Sequence, residues 1–72
     1  MIKRSKANIG KKVTPTTPSN PYYGRVGKIV EFRGNDRDTN GNLVPWVMVG
    51  FKSQRGGYYS MGFLGSKLKY VK

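Results

Sequence analysis

Apolar and polar residues alternate most cleanly over residues 45–52. Val47, Val49 and Phe51 share one parity, and Trp46, Met48 and Gly50 the other. A period of two predicts a strand with one buried face. Residues 58–63 repeat the pattern, with Tyr59, Met61 and Phe63 against Tyr58, Ser60 and Gly62. The Ser-Gln-Arg-Gly-Gly run at 53–57 predicts the turn between them. Upstream, residues 9–15 form a weaker strand candidate that must stop at Pro15 or lie at an edge, because proline gives no N–H to a ladder. Residues 16–21 hold Pro18 and Pro21 and predict a stiffened loop.

Residues 24–33 predict the second strand. Val26, Lys28, Val30 and Phe32 share a parity there, and Ile29 and Glu31 lie opposite. Ile29 and Val30 cannot both face one core on a flat strand, so the pattern demands strong coiling or a bulge near Gly27. Residues 34–44 are polar, and Asn40-Gly41 signals a tight turn, so a hairpin with an extended tip is expected. Gly65-Ser66 predicts a short turn, read as one helical turn, and residues 68–71 a fifth strand. No stretch keeps an i, i+3, i+4, i+7 apolar stripe. Five short strands punctuated by Gly and Pro predict an all-β, five-stranded small barrel. Residues 1–8 carry Lys3, Arg4 and Lys6 with little apolar content after Ile2. They read as a basic, flexible N-terminal arm, leaving 9–72 as the barrel.

Size and composition narrow the chemistry. A chain of 72 residues is one domain with a small core, burying only about 60% of its unfolded surface. It has neither cysteine nor histidine. That excludes disulfides and Cys- or His-ligated metal, and it removes the commonest general base. No apolar run is long enough to cross a membrane, and no secretory signal is legible, so a cytoplasmic protein is expected, with nucleoid or ribosome association in view.

Charge changes the picture most. Fourteen Lys and Arg face three acids, a formal net charge of +11. So small a domain repels itself, and a polyanion would relieve that repulsion. Cations are interleaved with aromatics: Tyr22 and Tyr23 beside Arg25 and Lys28, Trp46 at the start of the third strand, Lys52 and Arg55 leading into Tyr58 and Tyr59. Nucleic-acid binders need positive charge for phosphates and flat faces for bases. Parity assigns Phe51, Tyr59 and Phe63 to the core, and leaves Tyr22, Tyr23, Trp46 and Tyr58 as surface candidates.

Two other constellations weigh less. Asp36-Arg37-Asp38-Thr39-Asn40-Gly41 matches the opening of an EF-hand loop, yet position twelve is Val47 where a bidentate Glu is needed. It suits a polar hairpin loop without metal. Glu31, Asp36 and Asp38 offer no paired carboxylates, and Ser and Thr have no histidine to activate them. No Walker loop is present. A non-enzymatic protein without cofactor is expected.

Gly10 and Val13, then the turn Tyr23-Gly24-Arg25-Val26-Gly27-Lys28-Ile29-Val30, resemble the KOW motif of several ribosomal proteins and of NusG- and Spt-type elongation factors. Leu68-Lys69-Tyr70-Val71 resembles the last strand of such barrels. The resemblance implies an SH3-like barrel of about five strands. KOW-like and other SH3-like barrels bind RNA, DNA, ribosomal neighbours, RNA polymerase or acidic electron carriers, so the resemblance does not choose a partner. The loops at 16–21 and 34–44 are longer than in the family pattern.

The expectation is therefore a phosphate-driven DNA- or RNA-binding protein with little sequence readout, serving transcription, translation or nucleoid organisation. Arg25, Lys28, Arg33, Lys52 and Arg55 are the expected phosphate-facing group, helped by Lys11 and Lys12. Tyr22, Tyr23, Trp46 and Tyr58 are the expected stacking or positioning groups. Six cations on phosphates would give a log–log salt slope of roughly −5 on duplex DNA. The alternative is a docking module for an acidic protein in the transcription machinery, the ribosome or an electron-transfer complex. A ribosome-bound structural protein is a third reading. No membrane partner is expected, and oligomeric state stays open.

Overall fold

Strand-forming residues and turn glycines build a single antiparallel sheet in a computed structural model that describes residues 2–71. The strands are β1 (Lys12–Pro15), β2 (Gly27–Arg37), β3 (Leu43–Lys52), β4 (Tyr58–Leu64) and β5 (Leu68–Tyr70), ordered β4-β3-β2-β1-β5. Every neighbouring pair is antiparallel. The described residues are all-β, as expected, apart from two single 3₁₀ turns at Lys6–Asn8 and Gly65–Lys67. The second is the helical turn expected at Gly65-Ser66. The sheet is not closed: β4 and β5 are its two edges.

β1 is shorter than the expected 9–15. Gly10 takes a φ of +89°, which ends any extended run before it, and Pro15 ends the strand after it. Pairing to β2 covers Lys12 and Val13, and pairing to β5 covers Val13 to Pro15.

β2 resolves the conflict between Ile29 and Val30. Its register against β3 slips between Ile29 and Glu31, so Val30 is the extra residue of a bulge. The bulge at Val30 lies three residues beyond Gly27, near which it was expected. It turns Ile29 inward, leaves Val30 half-exposed, and brings Phe32 back opposite the buried Val47. Gly27 has a different task. A Cβ there would lie 2.5 Å from Val49 Cγ1 and 2.7 Å from the Gly50 carbonyl oxygen, so β2 can approach β3 this closely only without a side chain.

The hairpin tip is tighter than its polar composition suggests. β2 runs on to Arg37 and β3 begins at Leu43, pairing across 35–37 and 43–45. Asp38 closes the turn: its Oδ1 accepts from the Asn40 and Asn42 N–H groups at 2.9 and 3.0 Å. Burial raises this carboxyl's pKa, but those two donors together with the Ser66 hydroxyl and the charge of Lys67 outweigh it and hold the group below its ordinary value.

The core gathers Ile2, Val13, Ile29, Val47, Val49, Phe51, Phe63 and Leu68, with Tyr22, Phe32 and Tyr59 packed against it. Met61 has the inward parity but is 38% exposed, because β4 is an unpaired edge. Ile2 corrects the expectation of an arm standing apart. It is fully buried, and its N–H bonds the Gly65 carbonyl at 3.1 Å. Arg4 donates to the Arg33 carbonyl and to Asn35 Oδ1, and Asn8 Nδ2 donates to the Lys3 carbonyl. A single isoleucine at the start of a polar segment is enough to dock it, since full burial of such a side chain contributes about 1.5–3 kcal/mol.

Candidate nucleic-acid interface

The outer face of the sheet follows from register. Lys12 on β1 lies directly opposite Lys28 on β2, Lys28 opposite Gly50 on β3, and Gly50 opposite Ser60 on β4. Two residues further along, Lys52 faces Tyr58. Lys12, Val26, Gly27, Lys28, Val30, Gly50, Lys52 and Tyr58 line a groove of about 460 Å³. Three lysines thus line one concavity. Among the described residues, no carboxylate forms an ion pair with any of them: the only such pair joins Arg33 to Glu31, at 2.8 Å.

Arg25 sits elsewhere. Its neighbour Val26 turns into the groove, while the guanidinium lies over the rings of Tyr22, Phe51 and Tyr59 at 5.5, 5.5 and 6.0 Å. It donates to Tyr59 Oη at 2.8 Å and to the Lys52 carbonyl at 3.3 Å. With Ser53, Gln54, Arg55 and Tyr59 it lines a smaller polar concavity of about 280 Å³. Arg55 is exposed there.

Tyr22 is corrected from the surface set to the packed one. Its ring stacks on Phe51 at 5.1 Å and meets Phe63 edge-on at 6.2 Å, with Arg25 over it. The ring is partly buried and one face is taken by Phe51. Packing desolvates the phenol and the neighbouring Tyr59 hydroxyl adds to the effect, so its pKa is raised above 10.0 despite the opposing pull of Arg25. Tyr23 is 54% exposed in the adjacent turn and lines none of these concavities.

Trp46 shares the outward parity of Lys52 but lies six residues away along β3, roughly 20 Å. It lines a separate concavity of about 340 Å³ with Thr17, Ser19, Asn20 and Lys67. Lys11 lies with its ammonium 5.4 Å from the Tyr70 ring centroid. Arg33, on β2 beyond the bulge, is held by Glu31. The structure therefore brings Lys12, Lys28, Lys52 and Tyr58 together, pairs Arg25 with Arg55, and leaves Lys11, Tyr23, Arg33 and Trp46 apart.

Three groove residues carried no weight in the sequence: Val26, Val30 and Gly50. The signal was present in the Ile29-Val30 doublet, which forces one apolar side chain outward. It was present again in Gly50, which shares the outward parity with Lys52. The aspartates of the EF-hand-like run are spent on the hairpin: Asp36 Oδ1 accepts from the Arg37 N–H and Asp38 closes the turn. No group of three or more His, Cys, Asp or Glu able to hold a metal ion exists among the described residues. No helix among them is long and apolar enough to cross a membrane.

No protein-family model matches this chain, and neither a curated protein nor a solved structure matches it.

Proposed function

We propose that the protein is a non-enzymatic nucleic-acid-binding module that holds phosphates at the groove of Lys12, Lys28 and Lys52. The observation that carries this reading is the register. Lys12 and Lys28 stand directly opposite on neighbouring strands, with Lys52 on the same groove and no carboxylate paired to them among the described residues. Like charges placed directly across a ladder destabilise a sheet. An anion bound between them removes that cost, so the arrangement favours a ligand with closely spaced negative charges. The +11 net charge supplies the long-range attraction. What supports a KOW-like, SH3-like barrel as the scaffold is the set of five antiparallel strands together with Gly24 at φ +85° and the close approach at Gly27.

The test is fluorescence anisotropy with labelled random-sequence DNA and RNA across a salt series. Binding at low salt should weaken with a log–log slope of about −2 if three lysines meet three phosphates of a single strand. Weak, salt-insensitive binding to every nucleic acid would contradict the proposal. Tight capture of one acidic protein alongside it would favour the docking module instead.

A further inference from the structure

Charge is only the rim of the lysine groove. Its floor is apolar and low. Val26 and Val30 are half-exposed on it, 50% and 48%, and Gly50 between them and β4 has no side chain. A Cβ on Gly50 would come within 3.1 Å of Val30 Cγ1, so the valine leans over the glycine. Opposite Gly50 stands the small Ser60, and Gly62 holds the next outward position on β4. Tyr58 closes one side of the groove and is 80% exposed, with no aromatic partner among the described residues.

We infer that the ligand is single-stranded, with an unpaired base lying on Val26, Val30 and Gly50 against the ring of Tyr58 while Lys12, Lys28 and Lys52 hold the flanking phosphates. This rests on the nucleic-acid reading above and narrows it. A duplex offers the sheet mainly phosphates, because its base faces are stacked inside. It would need the lysines and would leave the valines and the tyrosine unused. Ile9, Tyr23, Leu43, Met61 and Tyr70 are exposed elsewhere on the surface, but Val26, Val30 and Tyr58 share one concavity with three lysines. Such a contiguous apolar floor with a charged rim suits an apolar face that carries its own negative charge. An unpaired base has such a face and carries its own phosphates to the rim. The volume of about 460 Å³ falls in the range of pockets that enclose a small-molecule-sized group, which suits one nucleotide rather than a helix. Stacking reads no sequence, since every base has a π-face, and this agrees with a binder of low specificity.

Three labelled probes separate the possibilities: a ten-nucleotide oligothymidylate, the abasic strand with the same phosphates, and a ten-base-pair duplex. The oligothymidylate should bind most tightly, with the abasic strand weaker by about tenfold or more, the size of one lost base stack. Tyr58→Ala should weaken oligothymidylate binding by a similar factor and leave abasic binding unchanged, and Tyr58→Phe should restore it. The side chain is exposed enough that circular dichroism of Tyr58→Ala should match the parent. Equal binding of the abasic and normal strands, tighter binding of the duplex, or a Tyr58→Ala variant that binds the oligothymidylate as well as the parent would overturn the single-strand inference and leave the phosphate reading standing. Failure of all three probes to bind at low salt would overturn both.

Discussion

Arg25 and Lys28 stand three residues apart on the chain and meet different fates. The guanidinium of Arg25 covers three aromatic rings and donates to Tyr59 and Lys52. The ammonium of Lys28 stands in an open groove across from another lysine. The contrast extends along the chain. Four of the five arginines (Arg4, Arg25, Arg33 and Arg37) donate side-chain hydrogen bonds within the fold, and among the described residues no lysine side chain does. Arginine's planar fork of donors satisfies carbonyls and stacks on rings, whereas lysine is a hydrated point charge on a flexible stem. Net charge alone is therefore a poor guide to a binding face. What matters is which cations the fold has already engaged.

The largest expected effect comes from the unengaged set. Lys12→Glu with Lys28→Glu should cut low-salt affinity for a single strand on the order of 100-fold, read by anisotropy. The double variant exchanges one like-charge pair across the ladder for another, so its melting temperature should stay close to the parent's. An unchanged affinity would end the distinction between the two sets. Next comes a swap that keeps charge. Arg25→Lys should lower the unfolding free energy by about 1–2 kcal/mol in urea, from lost ring and hydrogen-bond contacts. The converse, Lys28→Arg, should change stability by no more than about 0.5 kcal/mol. Equal responses to both swaps would show that Arg25 contributes charge alone.

A smaller effect lies on the alkaline side. The folded state raises the Tyr22 pKa above its ordinary 10.0, so this group's contribution is complete below pH 10 and is lost as pH rises through the folded value. Thermal melts from pH 9 upward should show Tyr22→Phe losing less stability than the parent, and parallel curves would remove desolvation as the cause. Smallest of all is Arg33→Ala. Both Arg33 and its partner Glu31 are more than half exposed, and such pairs contribute about 0–1 kcal/mol. Neither melting nor binding should move measurably.

These contrasts also show what the chain made legible. Strand number, the turns at 53–57 and 65–66, and the inward parity of Val47, Val49, Phe51 and Phe63 follow from period-two patterning, a local signal that the sheet preserves. A bulge near Gly27 also followed, but its exact residue did not. It depends on which β2 residue opposes Val49, and that is settled by the close approach at Gly27, a contact between distant segments. Ile2 was misread for a similar reason: one apolar residue has no period, and its place is set by the backbone of Gly65. For the candidate site, residue type was legible and commitment was not. Tyr22 and Arg25 have the composition of a nucleic-acid contact, and only the stack on Phe51 reveals that Tyr22 packs against the core, with the exposed Arg25 lying beside both rings. Lys12 and Lys28 are far apart in sequence, and only register sets them side by side.

The most direct measurement is an NMR titration of ¹⁵N-labelled protein with the oligothymidylate. Amides of Lys12, Val26, Lys28, Val30, Gly50, Lys52 and Tyr58 should shift together and saturate together, with those of Gln54 and Arg55 little changed. Shifts centred on Ser53, Gln54 and Arg55, or on Trp46 and Lys67, with the lysine groove silent, would contradict the assignment of binding to the cations the fold leaves unengaged.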